Sequence, residues 1–218
     1  MIKINGNIVS KNGEKLIEIN YKNLINTSLP HNSVENNEQP SFGIYSNRGS
    51  VDILDPTEKI KEYAQNKKLD GAIATFYLEN TFSQSKQQIA EYFVESWDYD
   101  IESLTISITM TDGFELWQEI SNNGFDLPIS STGASVVKQE YPAKTLYEEL
   151  YKNTPKSFKL LSFEELDDET KLRLLLTPIP FLYLEKGTLW EQWTKLCFLT
   201  GSKIYRDFSG QTIFAIEV

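Results

Sequence analysis

A serine or cysteine nucleophile needs a base within hydrogen-bond reach, and this sequence offers one histidine, His31, and one cysteine, Cys197. His31 falls in a polar stretch rich in Asn, Ser and Pro, and no Gly-x-Ser-x-Gly elbow occurs. Cys197 sits on the apolar side of a helical pattern, where a thiol serves as a small buried hydrophobe. Paired carboxylates are the next candidates. Asp98 and Asp100 flank Tyr99 beside Trp97, so rings that stack on sugars stand beside acids that could work on them. Turn capping explains the same two acids equally well. Glu164, Glu165, Asp167, Asp168 and Glu169 form the densest acidic run, at a helix start where negative charge meets the positive end of the dipole. The alternating Asp spacing of a calcium loop is missing. Neither a Gly-x-x-x-x-Gly-Lys-Ser/Thr loop nor a Gly-x-Gly-x-x-Gly turn is present. One His and one Cys exclude zinc sites built from those residues. The expectation is therefore a non-enzyme without a cofactor or metal.

The elements that would carry these residues fall into two halves. In the first, a short hairpin is expected at Ile2, Ile4 and Ile8 around Asn5-Gly6-Asn7, because Asn-Gly supplies the positive φ angles of a tight turn. Phe42, Ile44 and Tyr45 read as a strand, Ser46-Asn47-Arg48-Gly49 as a turn, and Val51, Ile53 and Leu54 as the returning strand. Asp55-Pro56-Thr57-Glu58 opens a short helix. Further strands are expected over residues 72–78, 89–97 and 104–110, with Trp97 to Asp100 as a strand end and polar turn. Residues 104–110 alternate apolar and polar strictly, the period of a half-buried strand. Thr111-Asp112 then caps a helix carrying Phe114, Trp117 and Ile120.

Residues 121–133 are dense in Asn, Gly, Ser and Pro, and beyond them the period changes from two to about 3.6. This divides a β-rich domain, 1–122, from a helix-and-hairpin domain, 123–218. Capping boxes are expected at Thr145–Glu148, Ser162–Glu165 and Thr188–Glu191. The third opens a helix with Leu189, Trp193, Leu196 and Cys197 inward and Gly201 as its stop. Trp190 lies about 100° round that helix from Leu189, at the edge of the buried face, where an aromatic anchor can meet a partner. A hairpin follows, turning at Asp207-Phe208-Ser209-Gly210.

The 218 residues carry 21 Lys and Arg against 31 Asp and Glu, a net charge of −10. That excess opposes general binding to nucleic-acid backbones or anionic membranes, and Lys67-Lys68 is a pair rather than a basic stripe. The longest apolar run, residues 172–184, contains Arg173 and two prolines and is too short to span a bilayer. A lone cysteine forms no intrachain disulfide, and the first ten residues lack the apolar core of a signal peptide.

The stretch Phe42-Gly43-Ile44-Tyr45-Ser46-Asn47-Arg48-Gly49-Ser50-Val51-Asp52-Ile53-Leu54-Asp55, then residues 89–100 and 105–112, resembles the tube-like domain of baseplate hub and tail proteins of tailed bacteriophages. Residues 184–197, with the hairpin after them, resemble the hub helix that precedes a hairpin. The resemblance implies an α+β protein: an antiparallel β-barrel, tail-tube-like, followed by a smaller helix-plus-hairpin domain. It also implies a virion protein without enzymatic activity, made in the host cytoplasm. Its partners would be copies of itself, a trimer being favoured for the ring, and other tail proteins. DNA would pass such a ring without being gripped, an acidic lumen repelling it. Family hubs are longer and carry two tube-like domains, so one such domain implies a reduced member or part of a longer hub. Ser46, Asn47, Arg48, Gly49 and Trp190 are the candidate interface residues. The alternative reading is a carbohydrate-binding or cell-wall-degrading module using Trp97, Asp98, Tyr99 and Asp100.

Overall fold

The structure is a computed structural model that describes residues 2–29, 43–44, 46–83, 85–126, 131–132, 135–136, 140–180, 183–184 and 186–216. Its contacts divide the chain into two compact units. The first comprises Met1–Asn32, Ser46–Gly113 and Asp207–Gly210; the second comprises Ser33–Tyr45, Phe114–Arg206 and Gln211–Val218. This division falls at 113/114, where the turn-rich stretch suggests 122/123.

The first unit contains strands β1 (Ile2–Val9), β2 (Lys15–Ile19), β3 (Leu24–Ser28), β4 (Arg48–Leu54), β5 (Ile73–Asn80), β6 (Ser85–Asp100) and β7 (Thr105–Thr111), with helix α1 (Lys59–Gln65) between β4 and β5. All seven strands form one sheet in the order β2-β1-β5-β6-β7-β4-β3, antiparallel throughout. The fold class is thus α+β with a mostly antiparallel sheet. Among the described residues no ladder joins the edge strands β2 and β3, so the closure expected of a barrel is not seen. Those edges are nevertheless joined by only four residues, Asn20 to Asn23. The corner is held by Asn23 N–H and Leu24 N–H donating to Asn20 O (3.1 and 2.9 Å) and by Asn20 N–H donating to Asn23 Oδ1 (2.8 Å). Seven strands laid flat would hold their edges about 29 Å apart. A hydrogen-bonded corner of four residues cannot bridge that, so the sheet curls until its edges converge there. Bulges supply the bend: Leu16 in β2, Ile25 in β3, and Ile89 and Glu95 in the long β6 are each the extra residue in their ladder.

One face of the sheet is buried. Ile8, Ile19, Val51, Ile53, Ala74, Phe76, Ala90, Ile106, Ile108 and Met110 form its core, with Ile60 and Ala64 of α1 set against them. Asp55 starts α1 from four residues upstream. Its buried carboxylate accepts the N–H groups of Lys59 (3.1 Å), Ile60 (2.8 Å) and Lys61 (3.0 Å), which lack partners inside the helix.

Three expectations change here. Asn5-Gly6-Asn7 is no turn, because β1 pairs along its whole length with β5. A Cβ on Gly6 would stand 2.9 Å from Thr75 O, so the glycine serves close strand approach. Trp97 to Asp100 is no turn either, since β6 continues through Asp100 and reverses at residues 101–104. Arg48 and Gly49, expected in a turn, open β4.

The second unit contains α2 (Ala143–Asn153), α3 (Asp168–Leu176), α4 (Leu189–Thr200) and the hairpin β8 (Ser202–Arg206) and β9 (Thr212–Ile216). The two-residue segment Gly43–Ile44 runs parallel to β8; its expected neighbours Phe42 and Tyr45 lie outside the described residues. The core is aromatic. Trp117 and Trp193 stack with centroids 6.0 Å apart, Tyr147 meets Trp193 edge-on at 5.4 Å, and Phe214 and Phe158 complete the cluster. Trp193 Nε1–H donates to Thr154 Oγ1 at 3.0 Å.

Two of the three capping boxes form. Thr188 and Glu191 cap α4, which stops at Gly201 in the left-handed conformation (φ 65°). Ser162 and Glu165 cap only a single 3-10 turn, Phe163–Glu165, while α3 begins later at its own cap, Asp167. Thr145 caps nothing: α2 already starts at Ala143 after Pro142. The helix expected after Asp112 is one 3-10 turn, Phe114–Gln118.

Candidate functional site

Asp112 organises the segment that the resemblance points to. Its buried carboxylate accepts Ser46 Oγ–H at 3.0 Å and Asn47 N–H at 2.6 Å, and its own N–H donates to Asn47 O at 3.1 Å. Residues 65 positions apart are so clasped at the entry to β4. Burial first, and the Asp112 charge second, raise the Tyr92 phenol beside this clasp well above its ordinary value. Arg48 is exposed and its Nη2 donates to Glu95 Oε1 at 2.9 Å, reaching the bulge of β6. Gly49 is buried, and a Cβ there would stand 2.9 Å from Ser28 O. Of the four residues, Arg48 presents its side chain to solvent; the other three hold the backbone in place.

Trp190 is half-buried on the first turn of α4, next to the fully buried Leu189 and three residues before the fully buried Trp193. This is the edge position that helical spacing suggests.

The four residues of the carbohydrate reading are dispersed by the strand they occupy. Along β6, Trp97 and Tyr99 are half-buried and pack against the sheet core, while Asp98 and Asp100 are exposed on the opposite face. Rings and acids therefore do not line one cleft. Asp100 caps the turn that follows: Ser103 Oγ–H donates to it at 2.6 Å and Glu102 N–H at 2.9 Å. The Ser103 hydroxyl, then the Glu102 amide, hold its carboxyl below the ordinary value.

Cys197 is fully buried on α4, and burial pushes its thiol far above the range in which a thiolate forms. His31 lies outside the described residues. Within the acidic run, Glu165 accepts Ser162 N–H and Oγ–H (2.8 and 2.7 Å), and Asp167 accepts Thr170 N–H and Oγ1–H (2.8 and 2.7 Å). Two of the five acids are caps; Glu164, Asp168 and Glu169 are exposed. Among the described residues no three His, Cys, Asp or Glu side chains are grouped to hold a metal ion. No helix among them is long and apolar enough to cross a membrane.

Folding also assembles a feature that linear reading misses. Lys3, Lys15, Lys22 and Lys86 come from β1, β2, the Asn20–Asn23 corner and β6, yet line one open cleft of about 460 Å³ with Tyr21 and Tyr77. No two of these lysines are neighbours in sequence, so no basic run announces them. The available signal is alternation: Lys3, Asn5 and Asn7 share the side of β1 opposite Ile4 and Ile8.

No protein-family model matches the chain, and no curated protein matches it in sequence. Solved structures share similarity in fold, among them the two that follow. The crystal structure of the prophage MuSo2 43 kDa tail protein from Shewanella oneidensis matches with a TM-score of 0.51 and 14% identity, over 100% of this chain and 56% of that one. The Francisella PdpA-VgrG complex, in its lidded form, matches with a TM-score of 0.48 and 14% identity, over 98% of this chain and 28% of that one. The chain thus spans little more than half the length of the tail protein. Over its own full length it carries a fold known from a prophage tail protein.

Proposed function

We propose that the protein is a structural component of a bacteriophage tail baseplate, a hub or tube adaptor, and that it works by protein–protein contacts rather than catalysis. The observation that carries this reading is the whole-chain likeness in fold to a prophage tail protein. The β-rich first unit is the tube-like domain of this reading. Its converging edge strands support closure into a barrel, which removes the free edges that would otherwise pair with other chains. Copies assemble head to tail into a closed ring, a trimer in this reading, that continues the tail channel. Other tail proteins cover its two rims, and the protein resides in the virion. Arg48 and Trp190 are the interface side chains of this reading, on a frame set by Ser46, Asn47 and Gly49. Light scattering across a concentration series, alone and with the neighbouring tail proteins, tests it. A ring-sized mass that falls on Trp190→Ala is expected. A strict monomer at every concentration and with every tail protein overturns it.

A further inference from the structure

The lysine cleft carries a second reading. Lys15 is paired with Glu18 at 2.7 Å, and Glu79 accepts the Asn5 side-chain amide. Lys3, Lys22 and Lys86 have no carboxylate within ion-pair distance among the described residues. Their ammonium groups rest on rings instead: Lys3 lies 4.2 Å and Lys22 6.0 Å from the Tyr21 centroid, and Lys86 4.0 Å from that of Tyr77. The rings place the ammonium groups without neutralising them, and the Glu18 carboxylate acts on Lys86 through space. Glu18 and Glu79 line the same cleft, so four lysines against two carboxylates leave it at a net +2, an exception on a chain of net charge −10.

The lining selects the occupant. Ring faces already covered by ammonium groups are not free to stack on a base or sugar. The cleft has no arginine, so its lysines act as point charges, which pair with an exposed carboxylate without needing a planar, bidentate match. The second unit offers carboxylates of this kind: Glu164, Asp168 and Glu169 are exposed and in no ion pair among the described residues. Two copies of an acidic chain repel one another unless their contact sets opposite charges face to face. Basic cleft and acidic ridge are different patches on one molecule, as a head-to-tail contact requires.

We propose that the cleft formed by Lys3, Lys22 and Lys86 receives the acidic ridge at residues 164–169 of a second copy of this chain. The proposal rests on the self-assembly part of the function proposed above and names its contact.

Sedimentation of the full chain tests it, using the reversals K3E/K22E/K86E and E164K/D168K/E169K, with circular dichroism to confirm folding of each. Raising salt from about 50 to about 500 mM should weaken wild-type association about tenfold or more. Each triple variant alone should lose at least about tenfold in affinity. An equimolar mixture of the two should assemble again, because each cleft then finds a ridge of opposite sign. If wild type assembles but neither salt nor reversal matters, or the mixture stays apart, this contact is wrong and the ring reading stands. If wild type alone is a monomer throughout, this contact is wrong, and the ring reading falls with it only if the chain also stays monomeric with the tail proteins.

Discussion

The two units solve the same burial problem with different materials. In the first, mostly aliphatic side chains arrive at every second residue along ladders of up to eight pairs, so the core is specified by register. In the second, the ladders are two to five pairs long, and six large rings carried by helices, turns and one strand fill the centre. A register-built core spreads its stability over many small contacts. A ring-built core concentrates it in a few side chains, each burying a large area. The second unit should therefore be the more sensitive to single truncations, and the first to substitutions that disturb backbone approach or helix entry.

The strongest test is Trp193→Ala, which removes a fully buried ring and its bond to Thr154. It should cost about 3–5 kcal/mol. Amide hydrogen exchange should show α2 and α4 losing far more protection than β6 and β7; equal loss would mean that the two cores respond as one. In the first unit, Asp55→Ala should be the most damaging polar change, about 2 kcal/mol by urea denaturation, since three backbone amides lose a buried acceptor. Thr188→Ala removes the better of the two capping boxes and should cost about 1 kcal/mol, with Thr145→Ala near neutral as its control.

Acid should reach both units at the same onset. Bonds from the Ser162 hydroxyl hold Glu165 below its ordinary value of 4.5; at Asp167 burial works the other way, but bonds from Thr170 outweigh it and hold the carboxyl below 3.8. In the first unit Glu18, held first by the bond from Lys15, is lowered from 4.5, and Asp100 from 3.8. A carboxyl lowered by folding adds stability above its unfolded pKa and loses it as pH falls through the folded value. Melting of the helical signal and of the sheet signal should both begin to fall just below about pH 4.5; a sheet signal unchanged there would mean that the exposed Lys15–Glu18 pair contributes nothing. The smallest effect belongs to the exposed pair Lys152–Glu149 at 3.0 Å: Lys152→Ala should change stability by less than about 0.5 kcal/mol.

Legibility in the sequence followed the range of the interactions. The alternation at residues 104–110 is realised in β7, with Ile106, Ile108 and Met110 inward, because a half-buried strand writes its period into consecutive residues. The α4 box and its glycine stop are equally local. Asn5-Gly6-Asn7 failed as a turn because ladders on both sides outweigh a dipeptide's preference, and Trp97 to Asp100 because the ladder to β7 runs on through all four residues. Asp112 reads locally as a helix cap, but its partners are Ser46 and Asn47, far back in the chain. The carbohydrate reading placed Trp97, Asp98, Tyr99 and Asp100 together, whereas continued strand geometry sends rings and acids to opposite faces.

By itself the sequence determined the acidic balance, the poverty in nucleophile and metal chemistry, the alternating strand and the best-capped helix, all of which rest on composition or on residues within one turn of each other. Only the tertiary structure decided the strand order, the convergence of β2 and β3, the Asp112 clasp and the lysine cleft. Each of these depends on residues brought together from distant parts of the chain, and the free energy that selects such pairings comes from burying the whole core, which no local window contains.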